Sequence, residues 1–153
     1  MQKSYYQSSI ADFKDAQDSY ILGELTRSHG FALEHQQRQA WIDQIHLLKD
    51  AVSGLRAGNI LFEFSIPRMG KRADVLFVLP SVIAVIEFKV GASTFDRAAI
   101  DQVHDYALDL KNFHGGSHDA PIIPVLFATN AVATTPPCLT WRHDAVADPF
   151  LVG

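Results

Sequence analysis

The chain has 153 residues and a mass of 17.0 kDa, room for one domain rather than two. Hydrophobic residues make up 48% and charged residues 20%, an ordinary globular mixture that excludes a wholly disordered chain. Lys plus Arg number 13 and Asp plus Glu 17, a formal charge of −4. That excludes a strongly basic domain of the kind that coats nucleic acid, but not a local basic strip beside an acidic, metal-binding centre. The single cysteine, Cys138, cannot form an internal disulfide and suits a reducing compartment. The first residues carry no apolar core of a signal peptide. The most apolar stretch, Val75 to Ile86, is broken by Pro80-Ser81 and is shorter than the ~20 residues that span a bilayer. The expectation is a soluble, cytoplasmic protein with no membrane contact.

In chain order, residues 1–30 are polar and weakly patterned, and read as a helical extension with a short helix near Ile10–Leu25 stopped by Gly30. Trp41, Ile45, Leu48 and Val52 then recur at helical spacing, marking one face of an amphipathic helix over Leu33–Val52. Ile60–Ile66 alternates, which puts Ile60, Phe62, Phe64 and Ile66 on one side of a strand and Glu63 on the other, toward solvent. Ala73–Leu79 and Val82–Val90 are nearly continuous apolar runs, strands covered on both faces, joined tightly at Pro80-Ser81. A second helix follows, N-capped by Ser93 or Thr94, with Phe95, Ala99, Val103, Tyr106, Leu110 and Phe113 on its buried face and Gly115-Gly116 as its stop. Pro121–Thr129 is a last strand, placed at a sheet edge by its prolines. Residues 130–153 read as an irregular tail in which Trp141 and Phe150-Leu151-Val152 dock. The order helix, strand, strand, strand, helix, strand gives an α/β domain with a mixed central sheet flanked by helices. Residues 31–129 form its core.

Centring the hairpin on Pro80-Ser81 makes paired positions sum to 161, so Asp74 faces Glu87. Carboxylates so opposed, ~5 Å apart at Cβ, repel unless a cation sits between them. Lys89 projects from the same face as Glu87, two residues on. Asp, Glu and Lys thus converge at the end of a buried hairpin.

These residues resemble the PD-(D/E)XK nuclease superfamily, in its RecB-like branch. Gly70-Lys71-Arg72-Ala73-Asp74 is similar to the branch's glycine-basic-aspartate motif, and Glu87-Phe88-Lys89 to its (D/E)-x-K motif. Gln102-Val103-His104-Asp105-Tyr106 is similar to its Q-x-x-x-Y motif, and Glu34 to its glutamate on the first core helix. More narrowly, the chain resembles the nuclease-like domain that precedes a helicase domain in some bacterial proteins.

The resemblance implies a restriction-endonuclease-like core, α-β-β-β-α-β, and Mg²⁺- or Mn²⁺-dependent hydrolysis of phosphodiester bonds in DNA, in repair, recombination or defence. It implies Asp74, Glu87, Glu34 and the Phe88 carbonyl as metal ligands, and Lys89 and Gln102 as further catalytic groups. Lys71, Arg72, Gln102 and Tyr106 would meet nucleic acid. The implied partners are DNA or RNA, a helicase domain or subunit, and a second copy of the chain. No G-x-x-x-x-G-K-[ST] phosphate loop lies in the 153 residues, so a motor would have to be supplied separately. The alternative is an inactive nucleic-acid-binding or protein-docking module of a helicase system. Glu63 is the rival to Glu34 for the acidic site. His114 and His118 read as loop bystanders, and Cys138 as chemically idle.

Overall fold

The computed structural model describes residues 3–30, 32–113, 119–132 and 139–153. Its elements are β1 (Tyr6–Ser9), α1 (Ile10–Asp15), α2 (Asp18–His29), α3 (His35–Ala51), β2 (Asn59–Ile66), β3 (Lys71–Val78), β4 (Ile83–Lys89), α4 (Arg97–Phe113), β5 (Ile122–Ala128) and β6 (Phe150–Val152). The strands form one six-stranded sheet in sequence order. β1 to β4 are an antiparallel meander, and β5 and β6 join parallel beyond β4. The fold is therefore α/β with a mixed sheet, as the element pattern indicates.

Two apolar clusters cover the sheet. One packs Ile10, Phe13, Ile21, Leu25, Trp41, Ile45, Leu48 and Val52 of α1 to α3 against Ile60, Phe62, Val75, Phe77 and Ile86. The other packs Ala99, Val103, Tyr106, Ala107 and Leu110 of α4 against Leu61, Leu76, Ile83, Val85 and Leu126. Neighbours along β4 alternate between the clusters, so the clusters lie on opposite faces. The Trp41, Ile45, Leu48, Val52 stripe is the buried face of α3. Among the described residues no helix is long and apolar enough to cross a membrane.

The chain departs from the sequence expectation at its ends. Residues before Gly30 hold an edge strand and two helices rather than one. Ser9 ends β1 and caps α1 by accepting a hydrogen bond from the Asp12 N–H. Gly30 closes α2 in the left-handed conformation, as expected of a stop. Gly58, at φ +119, enters β2 so close to the Val78 carbonyl that a Cβ would stand 2.8 Å from its oxygen. α4 begins at Arg97, later than the Ser93 or Thr94 cap expected.

β5 is internal, not an edge. Pro124 is tolerated because β6 begins to pair only at Val125. The tail is correspondingly less irregular than expected, since Phe150-Leu151-Val152 form β6. Trp141 bridges to Ala147 through its backbone, but its side chain is exposed rather than docked. The Phe113 side chain, His114, Gly115-Gly116, His118 and Cys138 lie outside the described residues.

Candidate active site

The β3–β4 hairpin pairs Val75 with Ile86, Leu76 with Val85, Phe77 with Ala84 and Val78 with Ile83. Each pair sums to 161, the register centred on Pro80-Ser81, and Leu79 N–H closes the turn on the Val82 carbonyl at 2.9 Å. The regular ladder stops at Val75 and Ile86. At the next rung the side chains replace the backbone partners. Glu87 Oε1 accepts from the Asp74 N–H at 2.9 Å, and Asp74 Oδ2 accepts from the Phe88 N–H at 2.8 Å. Each carboxylate is thus fixed by one oxygen on the opposite strand. Among the described residues the second oxygen of each, Asp74 Oδ1 and Glu87 Oε2, takes no hydrogen bond.

β2 and β3 change face together at this rung. Phe62 packs in the α3-side cluster while Phe64 and Ile66 pack on the α4 side. Likewise Val75 packs on the α3 side and Ala73 on the α4 side. The expected placement of Ile60, Phe62, Phe64 and Ile66 on one side is therefore corrected. The cause is Glu63, whose φ of 53 puts a non-glycine residue in the left-handed region within a strand. Such strain costs on the order of 1–3 kcal/mol and gathers at functional sites. Glu63 and Asp74 drop out of the β2–β3 pairing, whose other pairs all sum to 137 as these two numbers do.

Glu63 accordingly does not face solvent. Its Oε1 accepts from the Trp41 indole N–H at 3.1 Å, and the Arg72 guanidinium donates to its backbone carbonyl at 2.6 Å. Burial, with a smaller contribution from the charge of Asp74, pushes the Glu63 carboxyl up to about 7. Burial also pushes Asp74 and Glu87 upward, with Lys89 pulling both back toward the ionised form. Carboxylates from β2, β3 and β4 therefore press on one another electrostatically across adjacent strands. Such repulsion is relieved either by protonation or by a cation set between the carboxylates.

A cleft of about 850 Å³ opens at Asp74, Phe88 and Lys89. One wall is the start of α3, with His35, Gln36, Gln39 and Gln44; the other is Val90-Gly91-Ala92. That second wall is pinned to the end of β5, since Gly91 N–H donates to Thr129 Oγ1 at 2.7 Å and Asn130 N–H to the Ala92 carbonyl at 2.9 Å. Gly91 sits at φ +81, where a side chain would be strained.

Behind the carboxylates, Gln102 Nε2 donates to the Tyr106 hydroxyl at 2.8 Å. Tyr106 is 1% exposed, and its hydroxyl is pushed up to about 12, by burial first and then by Glu87 and Asp74. Gln102 and Tyr106 are thus paired with each other within electrostatic reach of Glu87 and Asp74, and Tyr106 presents no surface to nucleic acid. Arg72 is likewise engaged within the fold: besides the Glu63 carbonyl it bonds the Lys3 carbonyl at 3.3 Å and lies 4.5 Å from the Tyr5 ring centre. Lys71 is exposed at the start of β3.

Glu34 stands beside His35 and Gln36 at the mouth of the cleft but is not among the residues that line it. It is the exposed residue preceding α3 and makes no capping bond with its side chain. Glu63 instead stands on the rung opposite Asp74 and feels its charge. The signal was its rung, opposite Asp74, obscured by an alternation counted straight through it. Gln44 was also missed: it lies between Trp41 and Leu48 on the apolar stripe of α3 and is 3% exposed.

Among the described residues no set of three or more His, Cys, Asp or Glu side chains is gathered to hold a metal ion. Mg²⁺ does not need one, because it commonly binds through one or two carboxylates and keeps its waters. Two fixed carboxylates, each with an oxygen to offer, fit that donor set. No family model matches the chain, and neither curated proteins nor solved structures give a match.

Proposed function

We propose that the chain is a metal-dependent nuclease that hydrolyses phosphodiester bonds in DNA. The observation that supports it most is the crossed pair at the end of the hairpin, Asp74 and Glu87, with Lys89 beside it on the cleft floor. The main-chain bonds hold the two carboxylates in place, so little ordering is left to binding. Asp74, Glu87 and the Phe88 carbonyl would hold Mg²⁺ or Mn²⁺, which supplies Lewis acidity toward phosphate and an acidified water.

The chain's own groups do the rest. Lys89 places a compact positive charge where a phosphate oxygen gathers negative charge during attack. Gln102 and Tyr106, bonded to each other, would support the carboxylates from the α4 side. Lys71 meets phosphate outside the cleft, a contact that positions without reading sequence. With a formal charge of −4 the chain has little general attraction for DNA, so affinity concentrates at the loaded site.

The test is incubation of purified protein with single-stranded, duplex and branched DNA in Mg²⁺ or Mn²⁺. Cleavage is expected, and its loss in Asp74→Ala, Glu87→Ala and Lys89→Ala. No cleavage of any substrate with either metal, from protein that is folded, would refute the proposal.

A further inference from the structure

A second hollow, of about 240 Å³, adjoins the cleft at Val90, which lines both. Its other walls are Asp43, His46 and Leu47 from the middle of α3, and Thr129 just past β5. Its chemistry differs from that of the cleft floor. Lys89 lines the cleft, but no lysine or arginine among the described residues lines the hollow, and Asp43 stands there instead. Asp43 Oδ1 accepts from the Gln39 amide at 3.1 Å, while its Oδ2 takes no hydrogen bond among the described residues. That second oxygen is not sealed from solvent. Thr129 Oγ1 accepts from the Gly91 N–H at 2.7 Å, and its own hydroxyl hydrogen has no acceptor among the described residues. Leu47 and Val90 supply apolar surface, Val90 being 41% exposed. The hollow is smaller than the ~300–1,000 Å³ that a drug-sized ligand takes, and suits a single ring system.

We infer that this hollow is a subsite for one unpaired base of the DNA strand beside the cut, with Asp43 accepting a hydrogen bond from the base's exocyclic amino group. This rests on the nuclease reading above. A phosphate is repelled by the Asp43 carboxylate and meets no cation in the hollow. A base is neutral, lays its apolar faces against Leu47 and Val90, and donates from its edge. In a duplex that edge is spent on the partner strand and the faces on neighbouring bases, so the base that enters is unpaired or extruded. Cytosine, adenine and guanine carry an exocyclic amino group, and a carboxylate accepts from it readily, as aspartate does from the cytosine N4. Thymine and uracil carry none. Their ring N–H lies between two carbonyl oxygens, which a carboxylate repels. Asp43 thus sets a preference for amino-bearing bases at one position, worth about fivefold for a single hydrogen bond of ~1 kcal/mol.

The experiment is an NMR titration of the full chain, methyl-labelled at leucine and valine, with 2′-deoxycytidine and 2′-deoxyuridine in the absence of metal. At the ring carbon that carries the cytosine amino group, uracil has a carbonyl. The Leu47 and Val90 methyl signals should shift with both nucleosides, and deoxycytidine should bind about fivefold more tightly. Asp43→Asn, which keeps the shape and an acceptor for the Gln39 amide, should remove that difference. A single strand of mixed sequence, cut in Mn²⁺, should show a bias toward amino-bearing bases at one fixed position from the cut, and Asp43→Asn should lose the bias. Nucleosides that leave the Leu47 and Val90 signals unmoved would overturn the subsite, and the nuclease reading stands if the strand is still cut. Equal affinity of the parent for the two nucleosides would overturn the role of Asp43. Nucleoside binding at these methyls by a protein that cuts no DNA would overturn the nuclease reading and leave the base site standing.

Discussion

Replacing Glu63 by glutamine should reverse part of the protein's response to pH. Burial and the neighbouring Asp74 raise the Glu63 carboxyl from 4.5 to about 7 in the folded chain. At about 1.4 kcal/mol for each pH unit of displacement, ionised Glu63 weighs against folding by up to ~3 kcal/mol. The sign follows from proton counting. Between these two values the folded state holds a proton that the unfolded state has released, so stability falls as pH rises. It is fully present below pH 4.5 and lost by the time pH passes about 7. Glutamine cannot ionise, and it keeps an acceptor for the Trp41 indole N–H. Urea unfolding of the parent and of Glu63→Gln, without divalent metal, should therefore agree near pH 4 and diverge toward pH 8. The variant should end ahead by up to ~3 kcal/mol. Asp74 and Glu87 slope the same way in both proteins; removing the Glu63 charge also eases the ionisation of Glu87, so the difference reports Glu63 together with its coupling to that neighbour. A difference that stays flat across this range would refute the buried, repelled carboxylate at this rung.

Four further outcomes are expected. Arg72→Ala should lower stability by about 2 kcal/mol in urea melts, through the lost bond to the Glu63 carbonyl and the lost contact with Tyr5. Lys71→Ala should leave stability unchanged and weaken DNA binding, with a shallower salt dependence in a filter assay. Tyr106→Phe should destabilise by about 1 kcal/mol, since the Gln102 amide loses its acceptor, while DNA affinity measured without turnover stays parental. Glu34→Gln should alter neither cleavage nor melting beyond ~0.5 kcal/mol, because the side chain is exposed and unbonded.

Much of the centre of the molecule was legible before its structure. A proline-serine turn fixes a register, and that register carried from Val78–Ile83 to Val75–Ile86 without a slip. The α3 stripe was equally readable, because large apolar side chains recur on one helical face. What escaped was whatever pattern cannot encode. β6 is three residues long and owes its existence to the exposed edge of β5. β1 is four residues long and pairs far along the chain, with Asn59–Phe62. Glu63 was misplaced because alternation counting assumes an unbroken pleat, and one positive φ breaks it. Glu34 was placed on the first core helix, and the structure sets it one residue ahead of α3, at the N-cap, with its side chain exposed.

The shared change of face in β2 and β3 has an architectural meaning of its own. Phe62 and Phe64 point to opposite sides, as do Ala73 and Val75, although each pair is separated by one residue. Excising Glu63 and Asp74 together would make each pair sequence neighbours, and an ordinary pleat would send them to the same two sides as before. The core of the sheet is therefore written as a plain two-strand ribbon into which one acidic rung has been spliced. Chemistry and scaffold occupy separate lines of the same sequence, so the one could be erased, or rewritten with other side chains, while the other still folds.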